Sequence, residues 1–237
     1  MDALDACIRS IGILNPEDTI PVTIIGCGSI GSFSALALAK MGFNSFTLFD
    51  GDTVGPENIG CQLFGEDDIG KKKTFALANL LCRLSPDIDV LSLPCRVNKN
   101  TRLQGDIVIS AVDSMAIRSI IWERLDDTKL FIDGRIGGQL IRVFSVNPNH
   151  SGDREFYGGT LYTDEDAEDL PCTERNVADV AFFVGGIVAR AARLYISDDI
   201  LSRETCLDVR NFMGYTIGLV QDASSILREE PMNVEVW

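Results

Sequence analysis

Basic residues are scarce in this chain: 21 lysines and arginines stand against 35 aspartates and glutamates, a formal charge of −14. A phosphate backbone is therefore disfavoured as the main partner, and nucleic acid is not expected. An acidic surface suits solubility and a basic protein partner instead. Long charge-free apolar runs are also missing. The most apolar stretch, residues 177–196, contains Asp179, Arg190 and Arg193, so it reads as a buried helix with no membrane role. The opening residues, Met1 to Cys7, lack the basic and apolar segments of a signal peptide. The seven cysteines are odd in number and no two stand at C-x-x-C spacing, which leaves neither a disulfide framework nor a zinc site. A reducing cytoplasm is the expected compartment. Histidine occurs once, as His150 beside Pro148, and is assigned no role.

Against these absences, 46% hydrophobic and 24% charged residues make an ordinary globular balance. A length of 237 residues suits one large α/β domain with a well-buried core. Residues 20–25, 45–49, 90–93, 106–111 and 129–132 are short apolar runs rich in β-branched or aromatic side chains. Between them, residues 32–40, 72–84 and 115–125 carry helical spacing. That alternation predicts an α/β fold with a Rossmann-like doubly wound, mostly parallel sheet. After Gly137-Gly138, residues 139–146 alternate without a following helix, which predicts an added antiparallel strand. Residues 147–176 read as a loop holding an acidic cluster at 164–169, residues 177–196 as a long helix, and the last forty or so receive no assignment. The expectation is a single domain over 1–237, with its nucleotide-binding part at about 20–135 and a second part at about 136–237.

The apolar strand 20–25 runs into Gly26-Cys27-Gly28-Ser29-Ile30-Gly31 and then a helix. A G-x-G-x-x-G turn there lets the chain approach a phosphate, and the helix start offers free N–H groups and a positive dipole end. Asp50 ends the second strand, nineteen residues after Gly31, where an acid accepts hydrogen bonds from a ribose diol. NAD and ATP both carry adenosine, so these residues do not choose between them. Lys71, Lys72 and Lys73 open the next helix against the dipole's preference for acids, which fits a nearby polyphosphate. Asp113 ends a later strand at the ligand edge, where a carboxylate can hold Mg²⁺. The plainer reading of Asp113 or Ser114 is a helix N-cap.

This ordered set resembles the ThiF/MoeB/HesA family of adenylating enzymes, relatives of the ubiquitin-activating enzymes. The family pattern is G-x-G-x-x-G, D-x-D-x-V with Asn-x-x-Arg-Gln further on, an Ile-Gly-x-x-Lys turn, and an Asp ending a later strand. The chain matches it with Gly26, Gly28, Gly31, Asp50, Asp52, Asn58, Gln62, Lys73 and Asp113, over about residues 20–196. The resemblance implies ATP with its ribose on Asp50, its phosphates over the glycine turn and Lys73, and Mg²⁺ on Asp113. It implies adenylation of the C-terminal carboxylate of a small ubiquitin-like or sulfur-carrier protein by a homodimer, with residues 139–146 helping to form the modifier's platform. Cys172-Thr173-Glu174-Arg175-Asn176 is similar to the crossover of the ubiquitin-type enzymes, whose Cys takes the modifier as a thioester. Arg175 and the following helix favour a Cys172 thiolate, whereas the preceding acids oppose it.

The chain departs from the pattern in three places. The family's phosphate-steadying Arg is Cys61, the Asn after the Mg²⁺ Asp is Ser114, and the paired C-x-x-C zinc ligands of many bacterial members are absent. Charge developing at phosphorus needs a cation; Arg135, in the turn after the fifth strand, and Arg9 from a partner subunit are the candidate replacements. Three rival readings remain: a non-catalytic partner subunit, favoured by Cys61; an RNA-modifying relative; and a nicotinamide-dependent dehydrogenase, which leaves the lysines unexplained.

Overall fold

The computed structural model describes residues 9–10, 12–125, 127–162 and 177–220. Within them the apolar runs form eight strands: β1 Val22–Ile25, β2 Ser45–Phe49, β3 Asp89–Leu93, β4 Ile107–Ser110, β5 Leu130–Gly137, β6 Leu140–Val146, β7 Ser202–Asp208 and β8 Met213–Leu219. Five helices connect them: α1 Ser29–Lys40, α2 Lys73–Cys82, α3 Met115–Trp122, α4 Ser151–Gly158 and α5 Ala178–Ile196. The strands make one sheet in the order β3-β2-β1-β4-β5-β6-β7-β8. Strands β1 to β5 pair in parallel, and β5 to β8 pair antiparallel. The fold is therefore the expected doubly wound α/β sheet with antiparallel strands added. No described helix is long and apolar enough to cross a membrane.

β1 is Val-Thr-Ile-Ile, buried at every position, as a central parallel strand covered on both faces must be. Its side chains divide between the two layers. Ile24, with Leu48, Ile109 and Ile132, packs under helices α1, α2 and α5, while Ile25, with Phe49, Val108 and Phe131, packs against Trp122 of α3 and Tyr157 of α4. Each fully buried aliphatic side chain contributes about 1.5–3 kcal/mol, so the two layers together fix the sheet. After β3 the chain returns to place β4 on the opposite side of β1. That reversal makes the carboxyl ends of β1 and β4 the switch point of the sheet, the place where such sheets hold ligands.

Three elements differ from expectation. The fifth strand does not turn after Ile132. It continues to Gly137 because β6 offers it a ladder from Phe131↔Val146 to Gly137↔Leu140, past the end of β4, so Arg135 is a strand residue. The stretch expected as loop contains α4, which carries few apolar positions and is held by other means. His150 accepts the Asp153 backbone N–H at 3.3 Å as its N-cap, and buried Asp153 pairs with Arg203 at 2.6 Å. The unassigned tail holds the β7–β8 hairpin.

Helix α5 crosses α1 at a small residue. A Cβ on Gly185 would lie 2.7 Å from the Phe33 Cβ, whereas one on the adjacent Gly186 would meet nothing within 4 Å. Gly185→Ala is expected to lower stability by about 1–3 kcal/mol through overpacking. Gly186→Ala is expected to raise it by up to ~1 kcal/mol through helix propensity. Thermal melting of the two variants should move in opposite directions, and a shared direction would show that the α1–α5 contact does not limit this helix.

Candidate nucleotide-binding site

The three glycines after β1 do different work. Gly26 has φ +93°, and a Cβ there would lie 2.5 Å from the Ala111 carbonyl oxygen of the neighbouring strand's end. A Cβ on Gly31 would lie 1.8 Å from the Gly26 carbonyl oxygen, so the first turn of α1 can rest against the loop only as glycine. Gly28 is not crowded: its nearest neighbour is the Gln62 side chain, 3.7 Å from where a Cβ would be. Gly28 is also the N-cap of α1, and no side chain caps that helix. An approaching ligand therefore meets bare backbone and a helix start at Gly28. Beside it the Gln62 Oε1 is buried without a hydrogen-bond partner among the described residues, an acceptor in want of a donor.

Asp50, at the end of β2, locks this turn. Its Oδ2 accepts the Cys27 N–H at 2.7 Å, and its Oδ1 accepts the Asp52 N–H at 2.7 Å. Each carboxylate oxygen keeps lone-pair capacity for a further donor such as a ribose hydroxyl. Cys27 is fully buried within the turn, and that burial pushes its thiol well above its usual range, so it stays a neutral packing group. Asn58 serves its own loop, accepting the Gly55 N–H at 2.9 Å through Oδ1.

The three lysines part company. Lys71 pairs with Asp68 at 3.0 Å on the surface, and Lys72 donates to the Gly51 carbonyl at 2.7 Å. Lys73 alone is buried, as the first residue of α2, with its Nζ 3.6 Å from Asp52 Oδ2. The other oxygen of Asp52 takes the Arg96 guanidinium at 2.9 Å. That bond, first among the causes, and the Lys73 charge lower the Asp52 carboxyl below the usual range, partial burial acting the other way. Arg96 follows β3 at the same carboxyl edge and went unnoticed in the sequence. The strand order puts the ends of β1, β2, β3 and β4 side by side, and the residues just past β3 were the place to look.

Ser114 settles the alternative left open for Asp113. The Ser114 Oγ caps α3 by accepting the Ile117 N–H at 3.4 Å, and no hydrogen bond or ion pair among the described residues engages the exposed Asp113 carboxylate. Behind it, buried Arg118 donates to the Val112 carbonyl and to Asp133 Oδ1 at 3.0 Å. Asp133 also receives Arg135 Nε at 2.6 Å and the Tyr157 hydroxyl at 3.0 Å. Burial, first among the causes, and the Asp133 charge push the Tyr157 phenol well above its usual range, so it remains a donor.

The expectation that Arg135 supplies a free phosphate-site cation is corrected here. Its guanidinium is buried, bonded to Asp133 and to both Thr160 oxygens, and stacked 4.4 Å from the Phe144 ring centre. It belongs to the interior because strand β5 continues through it. Cys172 and Arg175 lie outside the described residues. Cys61 is half-buried, with its Sγ 3.7 Å from the Glu57 carbonyl oxygen.

A strand–glycine turn–helix unit at a sheet's switch point, with an acid just past the second strand and a buried lysine beside it, is the arrangement in which doubly wound α/β domains commonly hold nucleotides. The chain belongs to the ThiF family, whose pattern matches residues 18–221. It is 30% identical over 133 residues to ubiquitin-like modifier-activating enzyme 5 of Dictyostelium discoideum, covering 48% of this chain and 35% of that one. It is 35% identical over 105 residues to the sulfur carrier protein ThiS adenylyltransferase of Escherichia coli, 42% of each chain. The chain thus spans less than half the length of these curated relatives. Among solved structures, PaaA superposes with a TM-score of 0.74 at 18% identity over 92% of this chain and 74% of that one. Escherichia coli MccB with ATP gives a TM-score of 0.69 at 16% identity over 90% and 67%. Both share the fold.

Two substitutions test the packing of the site. Gly31→Ala is expected to cost about 3 kcal/mol or more, because backbone and not a flexible side chain meets the new methyl. Gly28→Ala is expected to stay within about 1 kcal/mol of the parent. Denaturant midpoints measure both, and equal losses would contradict the division of roles. Arg135→Ala is expected to cost about 3 kcal/mol in the same assay, the penalty of opening a buried ion pair. An unchanged midpoint would return Arg135 to the surface.

Proposed function

We propose that the chain uses ATP to adenylate the C-terminal carboxylate of a small ubiquitin-like or sulfur-carrier protein. The observation that carries the reading is the convergence of an uncapped helix start at Gly28, a buried Lys73 and an unengaged Asp113 at one sheet edge. The names of the relatives support the substrate class: one activates a ubiquitin-like modifier and another adenylylates the sulfur carrier ThiS. In this reading the carboxylate oxygen attacks the α-phosphorus, and the bond to the bridging oxygen breaks with release of pyrophosphate. Asp50 holds the ribose and Asp52 holds Lys73 toward the phosphates, with Asn58 and Gln62 shaping the floor. Catalysis is then positioning and charge stabilisation.

Mg²⁺ fits this set of donors. It commonly binds through one or two carboxylates plus substrate phosphates, which suits a lone Asp113. No cluster of three metal-binding side chains exists among the described residues. Bound there with the nucleotide, Mg²⁺ would supply charge neutralisation. Cys172 is the proposed acceptor in a second step, its thiolate displacing AMP from the acyl adenylate to form a thioester. We place this chemistry in a homodimer in a reducing cytoplasm, a compartment supported by five free thiols among the described residues.

Cys61 favours a second reading, a subunit that keeps the fold while another chain does the chemistry. ATP–pyrophosphate exchange by the isolated chain, with ThiS or ubiquitin-like proteins ending in Gly-Gly as substrates, decides between them. Lys73→Met and Asp113→Ala are each expected to lower exchange by about 10²-fold or more, the scale for one charge-stabilising group. Asp113→Ala should melt within about 2 °C of the parent, since it removes an exposed side chain. Exchange that survives both substitutions would move the phosphate site elsewhere, and no exchange by the parent with any carrier would favour the non-catalytic reading. Calorimetry should show binding of MgATP and not NADH, the reverse result reviving the dehydrogenase.

A further inference from the structure

We infer that Arg96 is a polyphosphate-contacting residue of this site, supplying the positive charge that Cys61 cannot. This rests on the adenylation reading and names the group that reading lacks. The Arg96 stem lies against the Asp50–Asp52 loop: a Cβ on Gly51 would come within 2.7 Å of its Cγ and 3.3 Å of its backbone N. That contact carries the guanidinium to Asp52 Oδ1, while Lys73 approaches Oδ2 of the same carboxylate. One carboxylate therefore gathers both cations, and any phosphate within reach of Lys73 is a neighbour of Arg96. The charge of Arg96 is also favoured by Asp50 and Asp113, after its main bond to Asp52, so it sits in the field of all three carboxylates along the edge.

Magnitudes decide what this pair is for. The Arg96 side chain is 80% exposed and that of Asp52 49% exposed. An ion pair so open to water adds little to stability. A phosphate offers the same guanidinium more charge and a bidentate fork, which is the stronger match. Moving Arg96 from Asp52 to a nucleotide thus loses little and gains a charge-assisted contact. Arg118 and Arg135 are buried on Asp133 and Lys71 is paired with Asp68, so none of these is available; Lys72 holds the Gly51 carbonyl of the same loop and is bonded to backbone, not to a carboxylate. The alternative is a surface ion pair that merely steadies the loop.

Calorimetry with MgATP and with AMP separates these cases, because only ATP carries the β- and γ-phosphates. Arg96→Ala is expected to weaken MgATP binding by roughly 10- to 100-fold, the range for one lost hydrogen bond to a charged group. AMP binding should change by less than about twofold, and the melting temperature should not move. Arg96→Lys should fall between parent and Arg96→Ala, since an ammonium keeps the charge and loses the fork. Adding Cys61→Arg to Arg96→Ala should restore part of the preference for ATP over AMP. Equal losses for ATP and AMP would make Arg96 an adenosine contact, and no loss for either would make it a surface pair; each result overturns the proposal while leaving ATP binding by the parent intact. A parent that binds neither nucleotide overturns this proposal and the adenylation reading together.

Discussion

The carbonyl of Ala111 and the backbone of Gly26 meet so closely that not even a methyl group fits between them, and Gly31 meets the Gly26 carbonyl more closely still. The rest of the carboxyl edge takes its position from this contact. Because α1 starts flush against β1 and β4, its uncapped N–H groups open at the sheet's switch point. Because the turn is that tight, the Cys27 N–H points at the end of β2 and finds the Asp50 carboxylate. Asp50 in turn fixes the Asp52 N–H, and Asp52 collects Lys73 and Arg96. A steric constraint in the backbone is thereby passed along four strand ends as a chain of hydrogen bonds and charges.

Much of this was legible in the residues. The strands were visible because parallel strands buried on both faces must be largely apolar, as Val22, Ile24 and Ile25 and the run Ile107 to Ile109 are. The glycine spacing was legible because each position answers a separate steric demand, and Asp50 because a carboxylate closing an apolar strand has few structural excuses. Helix α4 and the β7–β8 hairpin were not legible, for a common reason. Their stability comes from partners distant in sequence, such as Arg203 on Asp153 and Glu204 on Arg142, and no local periodicity announces such bonds. β8 is exposed at every position, so the alternation that marks a half-buried strand is absent.

Arg135 and Arg96 show the same limit from opposite sides. In the sequence both are single arginines near a strand end. The ladder with β6 draws Arg135 inward, onto Asp133, Thr160 and the Phe144 ring, where burial works against the guanidinium charge and Asp133 and Tyr157 together more than restore it. Arg96 has no such ladder and remains in solvent on Asp52. Which arginine is left exposed at the carboxyl edge is therefore decided by where β5 ends, a property of pairing between strands that neither arginine encodes. The buried network has its own bearing on the site, since Arg118 binds both Asp133 and the Val112 carbonyl, directly before Asp113. The Asp113 carboxylate is so carried on a backbone anchored from behind.

In the adenylation reading, charge balance at the edge is what lets an acidic protein receive a polyphosphate. The formal charge of −14 repels a nucleotide at long range, but beyond about 8 Å at physiological salt that repulsion is largely screened. What matters is the local set: Asp50, Asp52 and Asp113 against Lys72, Lys73 and Arg96, three charges of each sign. Two backbone N–H groups stabilise the Asp50 carboxylate, and Asp52 holds Lys73 and Arg96. Asp52 is satisfied by those cations only until phosphates arrive to compete for them. Once they are shared, Asp52 and Asp113 are short of positive charge, and the phosphates bring more negative charge still. In the adenylation reading a divalent cation carried in with the nucleotide would restore the balance at Asp113, the one of the three carboxylates that no described partner engages. On that reading the acids set a threshold: a nucleotide complexed with a divalent ion enters at little electrostatic cost, and a bare polyanion meets two unshielded carboxylates.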